Sequence, residues 1–137
     1  MQAAQVRFMT VAGRVLLTLI FLFAAAGKVL DFAGTARDMA SRGLPFPQVL
    51  LAAAIAMEIG GALLVLAGFH ARLGALLLIL FLVPTTFVFH NFWASQGPQR
   101  IADLLQFLKN LAILGGLLLV GAYGGGPWSL DVMRRRA

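Results

Sequence analysis

Four apolar runs, approximately Met9 to Val29, Val49 to Phe69, Leu73 to Phe89 and Ile101 to Tyr123, constrain this chain more than any other feature. Each is close to the ~20 residues that a helix needs to cross a hydrocarbon core of roughly 30 Å. Only 12% of the residues are charged, against about 25% in an ordinary soluble domain, and mean hydropathy is +0.91. The expected fold is an all-α membrane protein, a four-transmembrane-helix bundle forming a single domain over residues 1–137.

The connections differ in character. Gly68-Phe-His-Ala-Arg72 is so short that the second and third runs must form an antiparallel hairpin. His90 to Arg100, with Gly97-Pro98, separates the third from the fourth. Leu30 to Gln48 is too polar to cross. Thr35 is predicted to cap a short interfacial helix there, with Phe32, Ala36, Met39 and Ala40 on one face and Arg37, Asp38 and Arg42 on the other. Gly43-Leu-Pro-Phe-Pro47 ends it. The first run also has the layout of a signal peptide, with basic Arg7 and Arg14, an apolar core and Ala24-Ala-Ala26. It is read here as the first span.

The net charge of +6 does not point to nucleic acid, because the basic residues lie mainly between the apolar runs and at Arg134, Arg135 and Arg136. They read as topology determinants beside anionic lipid. Arg7, Arg14, Arg72 and the terminal arginines share one side; Lys28, Arg37, Arg42 and Arg100 share the other. The more basic side is expected to be cytoplasmic, and it carries both termini. Trp93 and Trp128 read as interfacial anchors. The chain has no cysteine, which excludes an iron–sulfur cluster or a thiolate zinc site within it. His70 and His90 stand at opposite ends of the third run, roughly 30 Å apart along a helix, so they cannot bind one haem or one metal ion.

Ionisable residues inside a bilayer are costly, by roughly 2.5 to 3.5 kcal/mol each, so each needs a partner or a role. Glu58 is expected about 15 Å deep, near the midplane, and Lys109 about 9 Å into the fourth span. Lys28 ends the first span on the same side as Lys109's entry. Side chains lean toward the N-terminus of their own helix, which brings Lys28, Glu58 and Lys109 toward one another in the outer half. Helical spacing sets Arg14, Thr18, Phe21, Ala25 and Lys28 on one stripe, and Asp103, Gln106 and Asn110 on another that Lys109 borders. Ala54, Gly61 and Ala62 around Glu58 make room for a close helix. Pro84 is predicted to free a carbonyl, with Thr85 and Thr86 able to re-satisfy backbone groups. His90 falls at the outer mouth. Each of these has a plainer reading: a structural salt bridge of Glu58 with Lys28 or Lys109, an interfacial histidine, interhelical hydrogen bonds from Asn110, Gln106 and the threonines, and glycine pairs Gly60-Gly61 and Gly115-Gly116 that serve packing.

In order along the chain, Gly27-Lys28, Gly43-Leu-Pro45, Glu58-Ile-Gly-Gly61 with Gly68 and Arg72, His90-Asn-Phe92, Lys109-Asn110 with Gly115-Gly116, and Ser129-Leu-Asp131 resemble the DoxX family of small four-span membrane proteins. The resemblance implies a four-helix bundle in a bacterial inner membrane with cytoplasmic termini. It also implies redox work at a quinone, since members are associated with thiosulfate oxidation to quinone and with oxidative-stress complexes.

Two functional classes follow. The first is a quinone-linked oxidoreductase subunit in which Glu58, Lys109 and His90 are the catalytic candidates and Lys28, Asn110, Gln106 and Thr86 the substrate-binding ones. Glu58 would move a proton, the lysines would hold negative charge on a quinol oxygen or a small anion, and His90 would exchange protons with water. A redox partner protein or small reductant is then required, because the chain offers no redox centre of its own. The second is a non-enzymatic membrane module, an assembly partner or a small-solute or lipid carrier with a structural ion pair. A proton or ion pathway fits less well, since apart from Arg14 and Thr18 the inner half offers only apolar and small residues. Oligomeric state is left open.

Overall fold

A computed structural model describes residues 2–135; Arg136, counted above with the terminal arginines, lies outside them. The described residues are all-helical, in the order α1 (Ala3–Leu30), α2 (Phe32–Ser41), α3 (Pro47–Ala67), α4 (Ala71–Phe89), α5 (Gly97–Tyr123) and α6 (Leu130–Arg134). Helices α1, α3, α4 and α5 are each long and apolar enough to span a membrane. The expected four-span bundle with a short helix between its first two spans is the observed architecture.

Local chemistry places the ends. Proline opens α3 at Pro47, where its missing N–H costs nothing. Gly68 closes α3 at φ 65°, with the Phe69 N–H donating to Leu64 O (3.0 Å) and the Gly68 N–H to Val65 O (3.1 Å), a left-handed cap that suits glycine. Pro98 lies in the first turn of α5 instead of in a linker. For α2 the cap differs from expectation. Asp31, not Thr35, is the N-cap, its carboxylate accepting from the Gly34 N–H at 3.0 Å, while the Thr35 hydroxyl donates to Asp31 O within the first turn. The aspartate wins because it precedes the first helical residue, and its carboxylate also favours the positive end of the helix.

Helix α3 packs most extensively, against α4, α1 and α2, and α4 packs on α5 as well; α1 and α5 touch only lightly. Gly61 and Gly74 set the α3–α4 spacing: a Cβ on Gly61 would lie 2.8 Å from Leu78 Cγ and 3.0 Å from Gly74 O, and one on Gly74 2.8 Å from Gly61 O. Small residues let the backbones approach this closely. Phe21, Val65, Leu78, Leu82 and Leu117 fill the core above and below. Ala36 and Met39 seat α2 on Leu51 of α3, with Phe89 beside them; Ala40, assigned to that face from the sequence, is exposed. Outward, the large leucines and phenylalanines of α1 and α5 are exposed, as expected where lipid is the solvent.

Candidate functional site

The stripe on α1 buries as its spacing requires: Arg14, Thr18, Phe21 and Ala25 are all buried. One turn further, Lys28 reaches back along its own helix and places Nζ 3.0 Å from Glu58 Oε1 and 2.9 Å from Oε2; the first contact has hydrogen-bond geometry. The sequence left the partner of Glu58 open between two lysines, and the structure selects Lys28. The pair is lopsided in burial, with side-chain exposure of 23% for Lys28 and 1% for Glu58. Lys28 also stands over the Phe81 ring, 5.3 Å from its centroid, a cation–π contact that strengthens when desolvated.

Beside this pair is a cavity of about 140 Å³, whose polar lining is Lys28, Glu58, Thr85, His90, Lys109 and Asn110. Its apolar walls include Ile20, Phe21, Phe81 and Ile113, with Phe21 and Phe81 meeting edge to face at 6.4 Å. Residues of α1 and α5 face each other across it, where the two helices pack least. The cavity therefore lies between two spans that touch only lightly.

The remaining candidates have defined places. Asn110 is buried and donates from Nδ2 to Thr86 Oγ1 (2.9 Å), whose hydroxyl donates to Leu82 O (2.7 Å). Such interhelical bonds in membranes are worth about 0.6 to 1.7 kcal/mol. Thr85 donates likewise to Phe81 O at 2.8 Å; neither hydroxyl bonds Leu80 O, the carbonyl that Pro84 leaves without its helical donor. Gln106 and Thr86 do not line the cavity. Gln106 is exposed and accepts from Lys109 Nζ, which holds Lys109 at the rim instead of against Glu58. Phe81 and Thr85 are two of the lining residues that the sequence reading did not place among the site candidates. They lie one helical turn apart, and that spacing toward Glu58 is the only signal that could have marked them.

Aromatic rings fasten the loop between α4 and α5. Trp93 packs with Phe87, Phe92 and Phe107 at centroid distances of 5.2 to 6.2 Å, so it fastens the loop to α4 and α5 as well as facing outward. Asp103 ties the same loop to α5 by accepting from Ser95, and accepts from Gln99 within its own helix. At the end of α4, burial pushes the His90 imidazole below its ordinary pKa of 6.5, with Lys109 and Arg42 acting in the same direction and Asp103 opposing. The folded state thus prefers neutral His90. The unfolded chain binds the extra proton between the lowered value and 6.5, so stability is full above pH 6.5 and falls as the pH drops through that window. We expect His90→Gln to flatten this acid-side loss, as read by thermal unfolding in detergent from pH 7.5 to 5; an unchanged slope would assign the loss to another group.

The DoxX family profile matches residues 9–91. The chain is 35% identical to inner membrane protein YphA of Escherichia coli over 118 residues, 86% of this chain and 84% of that protein. It is 37% identical to inner membrane protein YqjF of the same organism over 118 residues, 86% and 85% of the two chains. A more distant similarity, 27% over 130 residues, covers 93% of this chain but 38% of the Surfeit locus protein 4 homolog of Schizosaccharomyces pombe. No solved structure matches the chain significantly. Four membrane-spanning helices, a profile match across the first three of them and two near full-length bacterial relatives lead to one conclusion: the chain belongs to the DoxX family.

Proposed function

We propose that this protein is a quinone-linked oxidoreductase subunit of the bacterial inner membrane, with both termini in the cytoplasm. The observation that carries the reading is a cavity of about 140 Å³ between α1 and α5, floored by an ion pair and walled by two phenylalanines. A dry cavity of roughly 150 Å³ admits a benzene ring, so the volume suits one quinone ring with its tail between the two helices. A quinone held there would supply two-electron chemistry, taking two electrons from a partner protein or a small reductant such as thiosulfate, and two protons from the site.

The side chains present fit that work. Lys28 and Lys109 offer ammonium groups for negative charge on a ring oxygen. Glu58, paired to Lys28, can pass a proton to it and take one back; His90, favoured in its neutral form at the mouth, can relay protons from water. Asn110 has its Nδ2 committed to Thr86 and its amide oxygen free to accept from a hydroxyl. Purified protein should retain quinone after lipid extraction and show a quinone-dependent absorbance change. If neither is found, the reading is wrong.

The direct contact between Lys28 and Glu58 supports a second reading, a structural ion pair in a non-enzymatic assembly partner or carrier. On that reading Glu58→Gln lowers stability and partner recovery together and leaves quinone content unmoved.

Orientation has its own check, because the chain lacks cysteine. In intact cells Gln96→Cys is expected to react with a membrane-impermeant thiol reagent and Gln2→Cys is not; the opposite pattern reverses the topology.

A further inference from the structure

The end of the bundle remote from the Lys28–Glu58 cavity is built around the C-terminal segment. The Asp131 carboxylate accepts from the His70 N–H (2.8 Å) and the Ala71 N–H (3.2 Å), and the Asp131 N–H donates to Gly68 O (2.9 Å). From beneath, buried Arg14 donates from Nη2 to Trp128 O at 2.7 Å. Ser129 caps α6. The segment is therefore clamped onto the α3–α4 turn.

The clamp encloses a recess of about 690 Å³ lined by Arg72, Arg134, Arg135, His70 and the Gly124-Gly125-Gly126 backbone. Among the described residues Asp131 is the only one that brings a carboxylate to the recess lining, and both of its oxygens accept backbone N–H groups. Arg72 donates to Ala122 O (3.2 Å) and Arg134 stacks over Phe69 at 5.3 Å. Among the described residues the ion pairs are Lys28–Glu58 and Arg42–Asp38, so the three guanidinium groups have no acidic side chain paired with them. Tyr123, where the apolar run of α5 ends, lines the same recess. An interfacial tyrosine at the rim sets the recess at headgroup depth.

We propose that this recess binds the phosphate headgroup of an anionic phospholipid. Guanidinium forks match phosphate oxygens in pairs, basic pockets at the ends of membrane helices suit anionic lipid, and Tyr123 places the acyl chains alongside α5. This differs from a diffuse basic surface, because a built site depends on which arginines are removed and not only on how many.

Native mass spectrometry of the detergent-purified full chain with phosphatidylglycerol and phosphatidylcholine tests it. The wild type should retain phosphatidylglycerol over phosphatidylcholine. Arg72→Gln/Arg135→Gln should weaken that retention about 30-fold, at roughly 1 kcal/mol per arginine near the surface and 1.4 kcal/mol per tenfold. Arg72→Lys/Arg135→Lys, which keeps the charge and guards against a simple folding loss, should retain an intermediate preference. Arg37→Gln/Arg100→Gln removes the same charge at the other end and should leave retention unchanged. Equal loss in this last pair, or no wild-type preference, overturns the site. Displacement of the lipid by millimolar inorganic phosphate at equal affinity overturns the lipid as its occupant in favour of a soluble phosphate.

Discussion

Lys28→Met is expected to destabilise the protein by about 3 to 5 kcal/mol, and more than Glu58→Gln does, when unfolding is followed by denaturant titration in detergent micelles. The asymmetry comes from burial. Losing Lys28 leaves a carboxylate with 1% exposure and no cation paired with it, whereas losing Glu58 leaves a lysine with 23% exposure, two residues from the end of α1. A lysine near a helix end can swing toward the interface on its long stem. Glutamine also keeps the volume and a hydrogen-bond acceptor at position 58, so its cost should be nearer 1 to 3 kcal/mol. The double variant Lys28→Met/Glu58→Leu should recover part of the loss, with a coupling of about 0.5 to 3 kcal/mol. Equal single effects that simply add would sink the assignment of Lys28 as the partner of Glu58.

The second large effect is expected at the α3–α4 crossing. Gly61→Val should cost at least about 1 to 3 kcal/mol, the range for forcing atoms into a packed interior, because the new Cβ would meet both Leu78 and the Gly74 carbonyl. Leu78 can shift its tip, but the Gly74 carbonyl belongs to a helix and cannot. Glu58 sits one turn before Gly61 on the same face, so a wedge here should also weaken the ion pair. The neighbouring Gly60 is the control. A Cβ there meets nothing within 4 Å, and glycine within a helix is about 0.5 to 1 kcal/mol less stable than alanine. Gly60→Ala is therefore expected to be neutral or stabilising. Comparable losses at the two positions would contradict the packing assignment.

The contrast at that glycine pair shows where sequence reading stops. Apolar length and turn chemistry made the four spans, the α3–α4 hairpin and the helix between the first two spans legible. A period of 3.6 residues identified the buried stripe Arg14, Thr18, Phe21 and Ala25, because one helix face carries all of it. The choice between Lys28 and Lys109 for Glu58 was not legible in the same way. Depth along an axis follows from residue count, but rotation about the axis follows from packing. On α5 that rotation puts Asn110 inside against Thr86 and leaves Gln106 and Lys109 exposed. Gly60 and Gly61, alike in sequence, separate for the same reason.

Long-range polar contacts were invisible for a different cause. Arg14 bonds a carbonyl 114 residues away and Asp131 caps α4 from 60 residues beyond it. Backbone acceptors and donors carry no residue type, so nothing in the sequence marks them as partners. Arg14 accordingly reads as a topology determinant in the sequence, although it is 5% exposed and joins the first span to the last segment.

On the proposed function, the cavity beside Lys28 and Glu58 takes a membrane-soluble quinone ring from between α1 and α5. Photolabelling of the membrane-embedded protein with an azidoquinone, followed by peptide mapping, addresses it most directly. The expected result is labelling confined to residues 20–28 of α1, 81–90 at the end of α4 and 109–113 of α5, suppressed by excess unmodified quinone. Labelling spread over all lipid-facing helices, or unaffected by the competitor, would contradict it.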